Sequence, residues 1–324
     1  MKILVTGGAG MIGSNLVKKL VNQGHEVSVI DNFWRGKIDY LKKNGELVID
    51  EQRVFNEDLR DSNKCDDIIK GYDTVYHLAD IVAGINYVFG NQLFLWRSNI
   101  LINSNVISAC LKNEIKNLIY VGTACSFPKE KQSYIGPPLF KEEDAYPAEP
   151  ESSYGWSKLM GEYEAELALE TGKINVGILR LHNVYGPPCE LDPSKSQVIP
   201  ALCRKAILYP KEPFVVWGSG NQRRSFVYID DIIDALVDVR IRGMNKGVIQ
   251  IGTDYSDSIV DIAKKIIDIS GKDIDIQFDL TKPEGDVDRA ADCSKAEQIL
   301  DWSPKVSIDK GLKKTYEWCL RELG

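Results

Sequence analysis

The chain has 324 residues, 44% hydrophobic and 27% charged, so it can close one large core or two joined ones, and no stretch reads as disordered. A net charge of -7, with 3 histidines and no lysine-arginine block, argues against a surface built for nucleic acid or anionic membrane; a small anionic ligand in a local basic groove stays compatible. Seven scattered cysteines without a Cys-x-x-Cys pair suggest reduced thiols with neither disulfide frame nor metal site, and the apolar run in MKILVTGGAG is too short for a signal peptide, so a cytoplasmic protein is expected.

In chain order, the pattern predicts a strand over residues 3–6, a helix over about 11–22, and strands over 27–30, 53–55 and 74–78. A long helix around 94–112, a strand over 118–121, a helix over about 154–170 and a strand over 176–181 follow. Strands alternating with helices indicate an α/β fold, a Rossmann-type doubly wound parallel sheet. Residues 126–153 hold Pro128, Pro137, Pro138, Pro147 and Pro150, too many for a regular element, so a long connection leaves the carboxyl end of the fifth strand. Beyond Arg180 the rhythm loosens into a helix near 198–208, a strand over 214–217, and a strand over 225–229 leading into a helix at Asp230-Asp231. The expected division is a dinucleotide-binding domain over 1–180, with about 225–255 returning to it, and a smaller C-terminal α/β lobe from 181–224 and 256–324.

Gly7, Gly10 and Gly13 follow the first strand directly and open the first helix. Such spacing permits a tight turn, close backbone approach to a pyrophosphate, and close packing of helix on sheet, with the phosphates at the helix N-terminus. Asp31 ends the second strand, where a carboxylate accepts hydrogen bonds from both ribose hydroxyls and repels a 2′-phosphate, which favours NAD over NADP. Arg35, close by in sequence, keeps NADP open. Asp58 and Leu59 either border the adenine ring or begin a helix with Asp58 as its cap.

Tyr154 and Lys158 stand four residues apart, on one face of a helix capped by Ser152 or Ser153. A cation beside a phenol favours the phenolate, giving a base usable near neutral pH, and Thr123 at its strand end can orient the same substrate hydroxyl. His77 and His182 read as satisfied strand-end residues.

With these motifs the chain resembles the extended short-chain dehydrogenase/reductase family, in its sugar-nucleotide branch. The resemblance rests on GGAGMIG, Asp31 in VIDNF, HLAD at 77–80, Asn99, Tyr154 with Lys158, RLHNVYGPP, RRSFVYIDD and the late Arg289. Within that branch, VGTACSFPKE, the run over 145–159, HNVYGP and PALCRKA look most like the GDP-mannose 3,5-epimerases. The resemblance implies a tightly held NAD that oxidises a sugar C4 hydroxyl, a nucleotide sugar substrate with a GDP-type handle on a manno-type hexose or heptose, and a homodimer joined through the helices near 94–112 and 154–170. It adds Met11, Ile12, Asn32, Leu78, Ala79 and Asn99 to the cofactor wall. For the substrate it implies Asn183, Arg224 and Arg289 at the diphosphate, with charge from Arg204 or Lys205 and an aromatic border from Trp217.

Under the same resemblance Cys125, two residues after Thr123, acts as a carbon acid/base beside a ketosugar; the alternative is a small thiol packed beneath the loop. The resembled epimerase pairs this cysteine with a lysine, and the matching position here holds Gln197. Either Lys195 supplies the missing ammonium, or the protein keeps C4 oxidation without the full 3,5-epimerisation, as a C4 dehydrogenase or epimerase. An NADPH-dependent ketosugar reductase and a non-catalytic NAD-binding sensor remain as competing readings.

Overall fold

The computed structural model describes all 324 residues. Seven strands, β1 (Lys2–Thr6), β2 (Glu26–Asp31), β3 (Val54–Asn56), β4 (Thr74–His77), β5 (Asn117–Thr123), β6 (Asn175–Leu181) and β7 (Val248–Ile251), form one parallel sheet ordered β3-β2-β1-β4-β5-β6-β7. The central strands are near-continuous apolar runs because helices cover both faces: Ile3, Leu4, Val5, Leu118, Ile119 and Tyr120 are fully buried. Strand order reverses between β1 and β4, which opens a crevice at the carboxyl edge of the sheet.

On one face α1 (Met11–Asn22) packs against α7 (Ile229–Arg242); on the other, α2 (Ser62–Ile69) and α5 (Ser153–Glu170) flank the long α4 (Gln92–Lys112), which the short α3 (Ile85–Gly90) precedes. The register aligns the strand ends, with Thr6 opposite both Ile30 and His77, and Thr123 opposite Leu181. Gly7, Asp31, Leu78, Thr123 and His182 therefore meet at the same edge. The strand over 248–251 joins the sheet beside β6, after the chain has left for α6 (Val198–Leu208) and returned through α7.

The remaining chain builds a smaller α/β layer over that edge. Helices α6, α8 (Ile259–Ser270) and α10 (Ile308–Leu323) pack together, while α9 (Ser294–Leu300) lies against α7 and β7. Three two-stranded ladders tie this layer down: Asn183–Tyr185 with Phe226–Tyr228, Arg223–Arg224 with Asp257–Ser258, and Val215–Trp217 with Gln277–Asp279. The proline-rich connection over 126–153 carries only short 3-10 turns and is pinned by a bridge between Pro128 and Pro150. No helix is long and apolar enough to cross a membrane.

Candidate active site

A cavity of about 620 Å³ lies where the smaller layer covers the sheet edge. Its sheet side begins at the glycine turn. A Cβ on Gly13 would stand 2.3 Å from the carbonyl oxygen of Gly7 and 2.6 Å from Cα of Gly8, so only glycine lets α1 rest on this turn. Gly7 itself has φ +65° and faces the backbone of Ala79. Helix α1 starts at Gly10 with no side-chain cap, leaving its first amide groups directed at the cavity. Gly13→Ala must push the turn out of place, and we expect at least about a tenfold loss of dinucleotide affinity, read by equilibrium binding.

Asp31 lies at the end of β2, nearly buried, and accepts from the amides of Ala9 (2.9 Å) and Phe33 (2.8 Å). Burial pushes its carboxyl up, while those two amides oppose the shift. The bonds brace the carboxylate at the cavity and leave lone pairs for a ribose diol. Glycine cradle, open helix end and fixed carboxylate thus fit a dinucleotide. Met11, Ile12, Asn32, Asp58, Leu59, Leu78 and Ala79 line the same half. Asp58 caps no helix: Asp61 caps α2, whereas Asp58 pairs with Arg60 at 2.6 Å and holds Asn32, and the Arg60 hydrogen bond draws its carboxyl down to about 2. Arg35 donates to the Val82 carbonyl at 2.9 Å.

Asn99 requires a correction. Its side chain is fully buried and bonds both backbone groups of Ile81, at 2.7 and 3.1 Å, so it shapes the wall behind the cavity instead of facing a cofactor.

At the reacting end, Thr123 closes β5, and its hydroxyl oxygen accepts from the Cys125 amide at 3.3 Å, starting the turn that follows. Ser152 caps α5 by accepting from the Gly155 amide at 3.2 Å, which sets Tyr154 in the first turn and Lys158 one turn later. The cation–phenol pairing expected from sequence is not what the side chains make. Tyr154 donates to Asp80 Oδ2 at 3.1 Å, and Lys158 Nζ lies 3.6 Å from the same oxygen and 4.8 Å from the centre of the Tyr120 ring. Burial first, then the Asp80 carboxylate, pushes the Tyr154 phenol well above its ordinary value. Burial pushes the Lys158 ammonium down, opposed by Asp80 and Glu162. Asp80 was present in the HLAD string without a role; its signal was a charge in an otherwise apolar strand-end run.

Cys125 is partly exposed to the cavity, with its sulfur 4.0 Å from Arg289 Nη2. Arg289 is 2% exposed and donates from Nη1 to Ala124 O, Gln132 Oε1 and Asp286, and from Nη2 to Asn183 Oδ1 at 3.4 Å; its Nε has no partner. Arg224 donates to the backbone carbonyls of Arg223, Glu284 and Asp286. Burial and then Arg289 depress the Arg224 guanidinium, as expected of two like charges facing one space. Glu151, unnoticed in the sequence, lines this corner; burial and then the facing Asp286 raise its carboxyl to about 7.

Lys195 is turned elsewhere. Its ammonium donates to the Trp34 carbonyl at 3.1 Å and sits 5.1 Å from the Trp34 ring centre, while Gln197, at the start of α6, lines the cavity. The expected shift of Lys195 into the cysteine's neighbourhood is absent. Arg204 lines the cavity and pairs with Glu212 at 2.7 Å; Trp217 lines it with Lys205 and Lys282 near its ring. His77, bound to Thr6 and Asn103, and His182, bound to Gln250, are both held neutral by burial, each at about 3.

Residues 3–252 match the NAD dependent epimerase/dehydratase family. Among curated relatives, a GDP-mannose 3,5-epimerase of Arabidopsis thaliana is 30% identical over 323 residues, covering all of this chain and 83% of that one. A UDP-N-acetyl-alpha-D-glucosaminuronate decarboxylase of Bacillus cytotoxicus is 30% identical over 98% of this chain and 97% of its own. The solved UDP-glucose 4-epimerase of Thermotoga maritima, with UDP-glucose, superposes with a TM-score of 0.87 at 28% identity over the whole of both chains. The UDP-glucuronic acid 4-epimerase of Bacillus cereus, in complex with UDP-glucuronic acid and NAD, gives 0.83 at 30% identity over 99% of this chain and all of that one.

Proposed function

The chain belongs to the NAD dependent epimerase/dehydratase family of enzymes, and from that premise we propose that it oxidises the C4 hydroxyl of a GDP-linked manno-type sugar, hexose or heptose, to the 4-ketosugar. The observation that carries this reading is the meeting of Thr123, Tyr154 and Lys158 in one cavity with the glycine turn and Asp31. Bound at the turn, NAD supplies the hydride acceptor, and tight retention of it is part of the proposal. Tyr154 removes the proton of the C4 hydroxyl, Thr123 fixes that hydroxyl by a hydrogen bond, and Lys158 provides the buried positive charge. Arg224 and Arg289, two guanidinium groups on one space, suit a diphosphate because their donors form planar forks. Asn183 joins them. The guanine assignment is supported by the relatives of Arabidopsis and rice named for GDP-mannose. Arg204 and Trp217 are assigned to the nucleotide end. Exposed Leu101 on α4 with Tyr163 and Leu167 on α5 offer an apolar surface for the proposed homodimer.

The test is incubation of the NAD-loaded protein with GDP-mannose and its heptose homologue, following reduced nicotinamide and sugar stereochemistry. Reduction of NAD by a GDP-sugar and not by UDP-sugars is expected; no hydride transfer from any GDP-sugar defeats the reading.

A second reading, 3,5-epimerisation, is favoured by Cys125 standing beside Arg289 at the reacting end. Against it, Gln197 offers an amide where a second acid is needed. Deuterium wash-in separates the two. Exchange at C3 and C5 that Cys125→Ala reduces by about 10²-fold or more marks the epimerase; accumulation of ketosugar without exchange marks the dehydrogenase.

A further inference from the structure

Asp80 stands among the groups just given roles and has none of its own. It follows β4 by three residues, its side chain is 16% exposed, and it faces the cavity. Both contacts use Oδ2: the Tyr154 hydroxyl donates to it at 3.1 Å, and Lys158 Nζ lies at 3.6 Å. Oδ1 accepts no hydrogen bond from the protein. A carboxylate in this position does two things to a tyrosine base. It accepts the phenolic proton's hydrogen bond, which a phenolate cannot make, and it takes the ammonium as its own counter-ion, which dilutes the charge that would otherwise favour the phenolate.

We propose that Asp80 is a positioning residue that holds the proton on Tyr154 while the cofactor is absent or reduced, so that the phenol becomes a base only with positive charge in the cavity beside this carboxylate. The inference rests on Tyr154 as the base and deepens that reading. An oxidised nicotinamide ring is cationic and a reduced one is neutral, so beside the oxidised cofactor the phenol would release its proton to solvent, and beside the reduced one it would keep the proton taken from the C4 hydroxyl. Other groups facing the pair do not substitute for Asp80. Glu162 on α5 is committed to Arg180 at 2.6 Å; Tyr120 on β5 donates to the Lys158 carbonyl; His77 on β4 is buried and neutral; Cys125, in the turn after β5, lies beside Arg289. Asp80 is the charged group that bonds the phenol, and Lys158 is that carboxylate's cation.

The experiment is an ultraviolet pH titration of phenolate in the NAD-loaded enzyme, with the Tyr154→Phe protein subtracted to isolate this ring. Asp80→Asn, which keeps the side-chain shape and an acceptor, should move the Tyr154 ionisation to lower pH by one unit or more, about a tenfold change in proton affinity. The acid limb of kcat against pH for hydride transfer should move with it while the plateau stays within about threefold of wild type. In the wild type, loading with NADH instead of NAD should shift the ionisation to higher pH. An unmoved titration in Asp80→Asn, or equal titrations with the two cofactor states, overturns the proposal. So does a plateau that collapses at every pH, because that result makes Asp80 a proton carrier or a structural support. If Asp80→Asn fails to fold, Asp80→Ser is read in the same way. Should the wild type pass no hydride from any sugar while the titration shifts as described, the proposed function falls and the role of Asp80 stands.

Discussion

Tyr154→Phe is expected to reduce hydride transfer from a GDP-sugar by about 10²- to 10⁴-fold, the range in which positioned acid–base groups act. The ring stays in place because Ser152 fixes the helix start and because the phenol's bond to Asp80 at 3.1 Å is its sole hydrogen bond to the protein. Losing the oxygen therefore removes the proton acceptor without removing packing. NAD content should be unchanged, and KM should move little, so the deficit falls on kcat. The Lys158–Asp80 pair remains at the site in this variant, so loss of that charge does not explain the effect. Stopped-flow absorbance of reduced nicotinamide with saturating sugar measures the step directly. Turnover within an order of magnitude of wild type would mean that another group takes the proton.

The way the sequence led to this site depends on strand ends. A parallel sheet covered on both faces must use apolar strands, and each run that stops at Thr6, Asp31, His77, Thr123 or Leu181 deposits its next residue on one edge. Glycine turn, Asp31 and Thr123 were legible for that reason, and α5 because Ser152 caps it. Other features depended on partners remote in sequence. Asp80 acquires its meaning from a tyrosine 74 positions later, and Asn99 loses a cofactor role because Ile81 takes both ends of its amide. Lys195 reads as a candidate acid until Trp34, 161 residues away, is seen to hold its ammonium. The smaller layer was read least well. Of its ladder strands, two or three residues long, only those near 215–217 and 226–228 are visible in the pattern, and α8, α9 and α10 are not; on the sheet side α2, α3 and β7 are not visible either.

Glu162→Ala is expected to destabilise the fold by about 3–5 kcal/mol, the cost of leaving one buried charge without its partner. Glu162 on α5 and Arg180 on β6 are both 2% exposed and meet through two bonds, at 2.6 and 3.2 Å. Arg180 also donates to the Glu142 carbonyl at 2.8 Å and lies 5.0 Å from the Phe127 ring centre, so the pair clamps helix, sheet and proline-rich connection at one point. Gly122 makes room for it: a Cβ there would stand 2.0 Å from Glu162 Oε1. Urea unfolding with saturating NAD should show a lower midpoint with little change in slope. The double replacement Arg180→Met with Glu162→Leu should recover much of the loss, because the penalty lies in the stranded guanidinium. A midpoint loss equivalent to less than about 1 kcal/mol would mean that water reaches Arg180, and the clamp would then cease to explain how α5 holds Tyr154 and Lys158 against the end of β5.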